Sequence, residues 1–407
     1  MVLKMNKKGG RSTRREFFKR GTGAALAILG GGPCLAHTLK RTWWEEGIPA
    51  GRRDHYKVFS EGHIANLRLK NRLVRAATAE GAAPECEFSD SGVAIHTALS
   101  KGGIGLIISG HIAVMAEGRA EGTQTCIYED RFISSIHKIA NAVHQAENGC
   151  KVVAQISHAG MQADVEHPVA PSAIHWPHIT KETRVLSTDE VEDVVTHFAE
   201  AAMRVREAGF DGIEIHCAHG YLLSSFLSPY TNRRTDKYGG SMDKRVTIVR
   251  EIVAQVRQRI STDFPILLKM NCNDNVEGGI DLDSFPDLAK EIEKTGVDAI
   301  EVSGNNPARK GLDSPEEQSY FVKYAERLDL DIPVILIGGN KSIELIEKIA
   351  QKGKIDFFSF ARPLIREPDL PNRWLEGTGG EECTCISCNR CLHFLGKGSA
   401  TRCRVEQ

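Results

Sequence analysis

The segment Gly209–Arg245 concentrates side chains that could do chemistry; it reads GFDGIEIHCAHGYLLSSFLSPYTNRRTDKYGGSMDKR. His216 closes a short apolar run, His219 follows three residues later, and Tyr221 stands two residues beyond that. Two imidazoles at this spacing can donate hydrogen bonds to one substrate oxygen and polarise a carbonyl group. A phenol beside them can act as a general acid.

A metal-binding pair or two structural histidines would give the same pattern. A metal ion would need a third ligand, and the nearest carboxylates, Asp211 and Glu214, lie before or inside the apolar run. The spacing therefore favours a pair of hydrogen-bond donors for a carbonyl group over a metal site.

A second cluster lies near the C-terminus, where five of the 11 cysteines fall within the last 25 residues. Four of them have the spacing Cys385-x2-Cys388-x2-Cys391-x11-Cys403, and Cys383 is a spare that could replace one. Such clustering is typical of metal ligands rather than of a disulfide framework. An iron–sulfur cluster, a zinc ion or two disulfides (385–388 and 391–403) all stay open on spacing alone.

Eight short apolar runs alternate with longer amphipathic segments from residue 63 onward, which indicates parallel strands buried on both faces. They are Arg72–Thr78, Gly105–Gly110, Lys151–Ile156, Gly212–His216, Pro265–Asn271, Ala299–Gly304, Pro333–Gly339 and Phe357–Arg362. Eight strand–helix units predict an α/β fold, a (β/α)8 TIM barrel, with a hairpin near His63–Arg72 covering its bottom. A doubly wound sheet is the alternative, but it would use fewer strands and a glycine-rich first turn.

One helix is predicted in detail, over Ser187–Ala208. Thr188 is expected to cap it and Gly209 to end it. In a barrel the chemistry lies at the carboxyl ends of the strands. Polar or glycine residues fall at those ends: Gln155, His216, Lys269, Ser303, Gly338, Gly339 and Arg362.

The His216 loop closely resembles that of the old yellow enzyme family of FMN-dependent ene-reductases. Supporting segments are Asn71–Val74 (NRLV), Gln155–Gly160 (QISHAG) and Phe360–Asp369 (FARPLIREPD). The resemblance covers roughly residues 55–375, which we interpret as an FMN-binding barrel. It implies a small unsaturated substrate such as an enone or enoate.

The resemblance also implies roles for individual residues. His216 and His219 would bind the substrate carbonyl and Tyr221 would supply a proton. Gln155 and Lys269 would bind the polar edge of the flavin, where a cation stabilises the charge of the reduced ring. Other expected flavin contacts are Ala76, Ala77, Thr78 and Gly110 along the ring, and Gly338, Gly339, Ala361 and Arg362 at the phosphate. The segment RAATAEG lacks the family's usual proline, so which side chain faces flavin C4=O, Thr78 or another, stays open.

Residues 377–407 form a separate cysteine-rich segment in this interpretation. It is similar to the iron–sulfur branch of the family, the 2,4-dienoyl-CoA reductase and trimethylamine dehydrogenase relatives, which place a [4Fe–4S] cluster just after the barrel. Cys385, Cys388, Cys391 and Cys403 would then be its ligands. The nucleotide-binding domains of the larger relatives are expected to be absent, so electrons would enter from a redox partner protein. Three alternatives stay open: an amine or other dehydrogenase passing electrons outward, a non-catalytic electron-transfer flavoprotein, and a flavin-free zinc protein.

Charge is distributed unevenly along the 407 residues. The formal net charge is −1, but residues 1–36 hold eight Lys/Arg against one acidic residue. The remaining body is acidic, which argues against nucleic-acid binding. Arg14 and Arg15, followed by Glu-Phe-Phe-Lys and an apolar stretch too short for a membrane span, resemble a twin-arginine signal peptide. We expect export to a bacterial periplasm; a homo-oligomer is compatible with the composition.

Overall fold

The computed structural model describes residues 51–174, 179, 181–305, 308–312, 314–394 and 400–405. The predicted signal at residues 1–36 lies outside this range. The strands are β1 (Gly62–Ile64), β2 (Leu67–Leu69), β3 (Leu73–Arg75), β4 (Leu106–Ile108), β5 (Ile112–Ala113), β6 (Lys151–Ser157), β7 (Val169–Ala170), β8 (Arg184–Val185), β9 (Gly212–Cys217), β10 (Ile266–Asn271), β11 (Ala299–Ser303), β12 (Val334–Leu336) and β13 (Phe357–Phe360).

The helices are α1 (Asp90–Lys101), α2 (Ile133–His144), α3 (Thr188–Glu207), α4 (Leu222–Leu227), α5 (Met242–Arg259), α6 (Phe285–Glu293), α7 (Val322–Ala325), α8 (Ile343–Gln351), α9 (Arg362–Arg366) and α10 (Leu370–Glu376). No helix in the described part of the chain is long and apolar enough to cross a membrane.

Eight parallel strands close into a barrel in the order β4-β3-β13-β12-β11-β10-β9-β6, and a β4–β6 pairing completes the ring. Each of the eight predicted apolar runs coincides with one of these strands, although β6 and β9 extend one residue further, to Ser157 and Cys217. The predicted (β/α)8 barrel is therefore confirmed. β5 adds a short parallel pairing to β6 at the barrel rim.

The barrel interior is layered because residues two apart on a strand face the same side. The lowest layer is apolar and includes Val74, Val153, Leu267 and Phe357. The β1–β2 hairpin packs Ile64, Leu67 and Leu69 against it, as predicted. Gln155 and Lys269 lie two residues beyond Val153 and Leu267 on the same inner face, so polar side chains enter the layer nearest the carboxyl ends.

The long helix α3 begins with a capping box, and here one prediction is wrong. The cap is Ser187, whose Oγ accepts from the Glu190 amide at 3.2 Å while Glu190 Oε2 accepts from the Ser187 amide at 2.7 Å. Thr188 is already helical, and its hydroxyl donates to Asp236 Oδ2 at 2.8 Å. The reciprocal Ser–Glu pair satisfies two helix-end amides, which one threonine would not.

The cysteine-rich segment follows α10 and contains one 3-10 turn, Arg390–Phe394. Its backbone is hydrogen-bonded to the barrel at both ends: Cys383 N donates to Lys341 O at 2.9 Å, and Thr401 N donates to Glu80 O at 2.7 Å.

A disulfide joins Cys86, which precedes α1, to Cys126, which follows β5. The spacing of the cysteines in the sequence did not predict this bridge, because the pattern that it contains lies near the C-terminus.

Candidate active site

Three ring side chains meet beyond the carboxyl end of β9. The centroid of the His216 ring lies 5.0 Å from that of His219 and 4.8 Å from that of Tyr221. His219 has a positive φ of 63°, which reverses the chain and returns Tyr221 toward His216. The structure thus brings together all three residues that the sequence singled out.

The hydrogen bonds of His216 define its tautomer. Its Nδ1 lies 3.4 Å from the Ala218 amide, which can only donate, so Nδ1 accepts and Nε2 carries the proton. Burial, together with the nearby His219 and Lys269, lowers the pKa of His216 well below its usual value. The ring is therefore neutral at pH 7, with one N–H donor.

His219 is fixed by two neighbouring strand ends. Its backbone amide donates to Asn271 Oδ1 at 2.9 Å, and its Nε2 lies 2.7 Å from Ser303 Oγ. Burial, with the positive charge of Lys269, lowers the pKa of His219 to about 3. If the serine hydroxyl donates to Nε2, the ring proton lies on Nδ1 and can be offered to a substrate oxygen.

Tyr221 stays protonated across the physiological range. Burial raises the pKa of its phenol, and the negative charge of Glu121 raises it further. The phenol can therefore serve as a proton donor, and the phenolate it leaves would need stabilisation.

A buried ion-pair network crosses the middle of the barrel. Lys269 Nζ lies 2.7 Å from Glu301 Oε2 and 3.8 Å from Glu214 Oε2, and Gln155 Nε2 donates to Glu214 Oε2 at 2.6 Å. All four side chains are at most 2% exposed. Burial raises the pKa of Glu214 well above its usual value, and Glu301 adds to that shift against the opposing pull of Lys269.

The expected flavin-lining residues follow β3 and β4. Ala76 is fully buried, and the Thr78 hydroxyl donates to the Ala76 carbonyl oxygen at 3.0 Å. Ala77 packs against the apolar layer of the barrel. A Cβ at Gly110 would lie 2.8 Å from the Thr78 carbonyl oxygen, so the two loops approach each other as closely as the absence of a side chain allows.

The expected phosphate residues have other local roles as well. Tyr320 and Phe321 lie against Gly338 and Gly339, where a Cβ would come within 2.6 Å and 2.7 Å of a ring carbon. These positions therefore need glycine for packing. Their part in phosphate binding stays a prediction.

Arg362 and Ala361, at the end of β13, connect the barrel to other segments. Arg362 Nη1 donates to the Arg309 carbonyl at 2.6 Å and to Asn389 Oδ1 at 2.7 Å, while the Ala361 carbonyl accepts from Arg75 at 2.7 Å. The predicted grip of Arg362 on a phosphate is not tested by these contacts, which occupy one of its terminal nitrogens.

The four expected metal ligands, Cys385, Cys388, Cys391 and Cys403, line one small cavity with Arg362 and Arg366. All four are free thiols, and Cys383 does not line that cavity. Within the described ranges no group of three or more His, Cys, Asp or Glu side chains has the geometry of a metal site. The cavity brings the thiols together without a closed ligand cage.

Sequence reasoning missed several residues of the site. Glu214 and Glu301 were hidden inside apolar strands, although their spacing of two residues from His216 and Ser303 places them on the same inner face. His111 was missed because it follows Gly110 with no motif around it; its ring centroid lies 5.7 Å from that of Tyr221.

The residues present fit a flavin. Gln155 and Lys269 offer an amide and a cation at the strand ends, and Glu214 Oε1 is buried without a hydrogen-bond partner among the described residues. Such an unmatched buried polar atom beside the Gln155 amide and the Lys269 ammonium group is suited to a polar heterocycle. Gln155, Lys269 and Gly110 would hold its polar edge.

The comparisons identify the class of protein. Residues 57–379 match the NADH:flavin oxidoreductase / NADH oxidase family. The chain belongs to this family and is an FMN-dependent oxidoreductase of the old yellow enzyme kind.

Individual relatives agree with this assignment. The chain is 37% identical over 344 residues to an NADH oxidase of Thermoanaerobacter brockii, covering 82% of this chain and 52% of that protein. It is 33% identical over 324 residues to an NADPH dehydrogenase of Bacillus subtilis, covering 77% and 92%. The chain thus spans about half the length of the first relative.

Solved structures share the fold. A complex of 2-naphthoyl-CoA reductase with 2-naphthoyl-CoA superposes with a TM-score of 0.80 at 24% identity, covering 86% of this chain and 57% of that one. An old yellow enzyme homologue from Zymomonas mobilis gives 0.69 at 24% identity, covering 81% and 96%. These superpositions show the shared barrel fold, and the match of residues 57–379 confirms the predicted membership of the NADH:flavin oxidoreductase family.

The raised pKa of Glu214 predicts different effects for two similar substitutions in the barrel. Glu214→Gln replaces a carboxyl that is already protonated, so it should leave the free energy of unfolding nearly unchanged at pH 5. Glu301→Gln removes the closer partner of Lys269 and should cost about 3 kcal/mol. Urea unfolding of the FMN-loaded variants measures both.

The pH dependence has a definite sign. Because the pKa of Glu214 is raised in the folded state, the folded protein holds that proton more tightly, and stability falls as pH rises above about 4.5. Glu214→Gln lacks this loss, so its stability relative to wild type should increase between pH 5 and pH 8. A larger loss for Glu214→Gln than for Glu301→Gln at pH 5 would contradict the assignment.

Proposed function

We propose that this protein reduces an activated carbon–carbon double bond, such as that of an enone or enoate. The observation that carries the proposal is that the ring centroids of His219 and Tyr221 lie 5.0 Å and 4.8 Å from that of His216 at one strand end, which places two neutral imidazoles beside a protonated phenol. Saturating such a bond takes one hydride and one proton, and the three side chains account for the proton and for carbonyl activation.

Each residue has a separate role. The Nε2–H of His216 and a ring N–H of His219 donate to the substrate carbonyl, which draws electron density from the alkene and makes its β-carbon electrophilic. FMN, held by Gln155 and Lys269, would supply the hydride for that carbon. Tyr221 then protonates the α-carbon, and its hydroxyl oxygen becomes a phenolate until solvent returns the proton.

Tyr221→Phe tests the proton donor. Without the hydroxyl, oxidation of the reduced protein by 2-cyclohexenone should slow by about 100-fold or more, while reduction of the flavin by dithionite stays at the wild-type rate. Anaerobic stopped-flow spectroscopy follows both half-reactions.

Tyr56→Phe is the matched control, because it removes a buried hydroxyl of the N-terminal segment that packs beside Arg53. It should leave both rates unchanged. Unimpaired enone reduction by Tyr221→Phe would refute the assigned donor, and a dehydrogenase or a non-catalytic electron carrier would then become the better description.

We also propose a [4Fe–4S] cluster held by Cys385, Cys388, Cys391 and Cys403, through which electrons reach the barrel from a redox partner protein. Support comes from the shared cavity of the four thiols and from the Arg366 guanidinium, which donates to Cys403 Sγ at 3.4 Å. Thiolate ligands next to cationic side chains are favoured in the deprotonated form.

Cys388→Ser should remove iron and sulfide from anaerobically purified protein and slow flavin reduction by reduced methyl viologen. Cys272→Ser, at a buried free cysteine of the barrel, is the control and should keep the wild-type metal content. Wild-type protein that contains zinc, or no metal, would refute the cluster; rapid reduction by NADPH but not by one-electron donors would refute the partner.

Export through the twin-arginine route rests on Arg14 and Arg15. Replacing both by lysine preserves charge but should hold the protein in the cytoplasm, as measured by cell fractionation and immunoblotting. Lys7→Arg/Lys8→Arg is the charge-matched control and should be exported normally. Unchanged export of the double lysine variant would refute this localisation.

A further inference from the structure

His111 lies beside the proposed proton donor but has no role in the chemistry described so far. It immediately precedes β5, its side chain is only partly exposed, and its ring centroid lies 5.7 Å from that of Tyr221 at an interplanar angle of 65°. With Glu121 and Gln124 it also lines a small polar cavity.

The orientation of the neighbouring amide is determined by the backbone. The Ala120 N–H donates to Gln124 Oε1 at 2.7 Å, and since a backbone amide can only donate, this atom is the oxygen. The Gln124 nitrogen therefore faces His111. That side chain is 3% exposed, so it is held in place.

The Gln124 amide in turn defines the tautomer of His111. Gln124 Nε2 lies 2.7 Å from His111 Nδ1 and 3.2 Å from the His111 carbonyl oxygen. An amide nitrogen only donates, so His111 Nδ1 accepts and the ring proton lies on Nε2. Burial, with the charge of Lys269, lowers the pKa of His111 to about 4, so the ring is neutral at pH 7.

This arrangement excludes a proton relay. A relaying imidazole must receive a proton at one nitrogen while it releases one from the other, but the Gln124 amide occupies Nδ1. What His111 can offer is a fixed donor at Nε2. Tyr221, whose ring contacts that of His111, would need such a donor, because burial and the negative charge of Glu121 both oppose formation of its phenolate.

We propose that His111 is a positioning residue whose Nε2–H donates to the Tyr221 oxygen and stabilises the phenolate formed when Tyr221 protonates the substrate. No covalent bond of His111 is made or broken. Gln124 acts one step further out by keeping the ring in the required tautomer. The inference rests on the proposed reduction of an activated double bond.

The tautomer can be measured without turnover. In 15N-histidine-labelled protein free of flavin, His111 should show a protonated Nε2 and an unprotonated Nδ1 that do not change between pH 8 and pH 5.5. His111→Gln assigns the signals. Gln124→Met should release the ring into a mixture of tautomers. A protonated Nδ1 in the wild type would overturn the inference.

The effect on Tyr221 requires kinetics. His111→Phe should slow oxidation of the reduced holoprotein by 2-cyclohexenone about 100-fold without slowing its reduction by dithionite. His111→Gln keeps an N–H donor and should restore most of the lost rate. In a Tyr221→Phe background, His111→Phe should cause no further loss, because the group that it serves is gone.

The outcomes separate the two proposals. A normal rate for His111→Phe beside a slow Tyr221→Phe would overturn the role of His111 and leave the function intact. Multiplicative losses in the double variant would also overturn it, because His111 would then act independently of Tyr221. An active Tyr221→Phe would refute the proposed proton donor, and with it the role of His111, whatever tautomer the nitrogen signals show.

Discussion

The structure of the site depends on one buried cation. Lys269 lies in the centre of the barrel between Glu301 and Glu214, with Gln155 completing the layer. Removing a charge from water is costly unless partners surround it, and both carboxyl groups lie within 3.8 Å of the Lys269 ammonium nitrogen. Burial, together with the positive charge of Lys269, lowers the pKa values of His111 and His219, so both rings are neutral at pH 7.

Neutral imidazoles suit the proposed reduction of an activated double bond. A charged ring would bind an anion tightly in the ground state and would be costly to bury, whereas a neutral N–H donor becomes more effective as charge develops on the substrate oxygen. Each of the three rings has one nitrogen engaged: His216 by a backbone amide, His219 by Ser303, and His111 by Gln124. These contacts, and not a change in protonation state, thus determine how each histidine ring is oriented.

Much of this could be predicted from the sequence, for identifiable reasons. Near-continuous apolar strands predict a parallel barrel, and strand ends then predict where polar side chains such as Lys269 and His216 meet. The inward position of Glu214 and Glu301 was not predicted, because a strand pattern does not reveal which face is inside until the register is known. The Ser187 cap was missed by one residue, because Ser187 and Thr188 are both good caps and only the partner Glu190 distinguishes them.

Other features depend on contacts distant in sequence. No local pattern pairs Cys86 with Cys126, or brings Gln124 against His111, since both depend on how two rim loops fold over β5 and β6. The residues expected at a phosphate show the same dependence. Packing of Tyr320 against Gly339 arises from a loop between β11 and β12 whose conformation the glycine motif does not encode.

The contacts of Arg362 have a thermodynamic consequence. This side chain stands at the end of β13 and is bonded to both Arg309 and Asn389, so the rim of the barrel and the cysteine-rich segment share one guanidinium group. Anything that shifts Arg362 from one side must alter the free energy of binding on the other. Such coupling is reciprocal. A ligand bound at the barrel rim and a group bound in the cysteine-rich segment would each change the other's dissociation constant by the same factor.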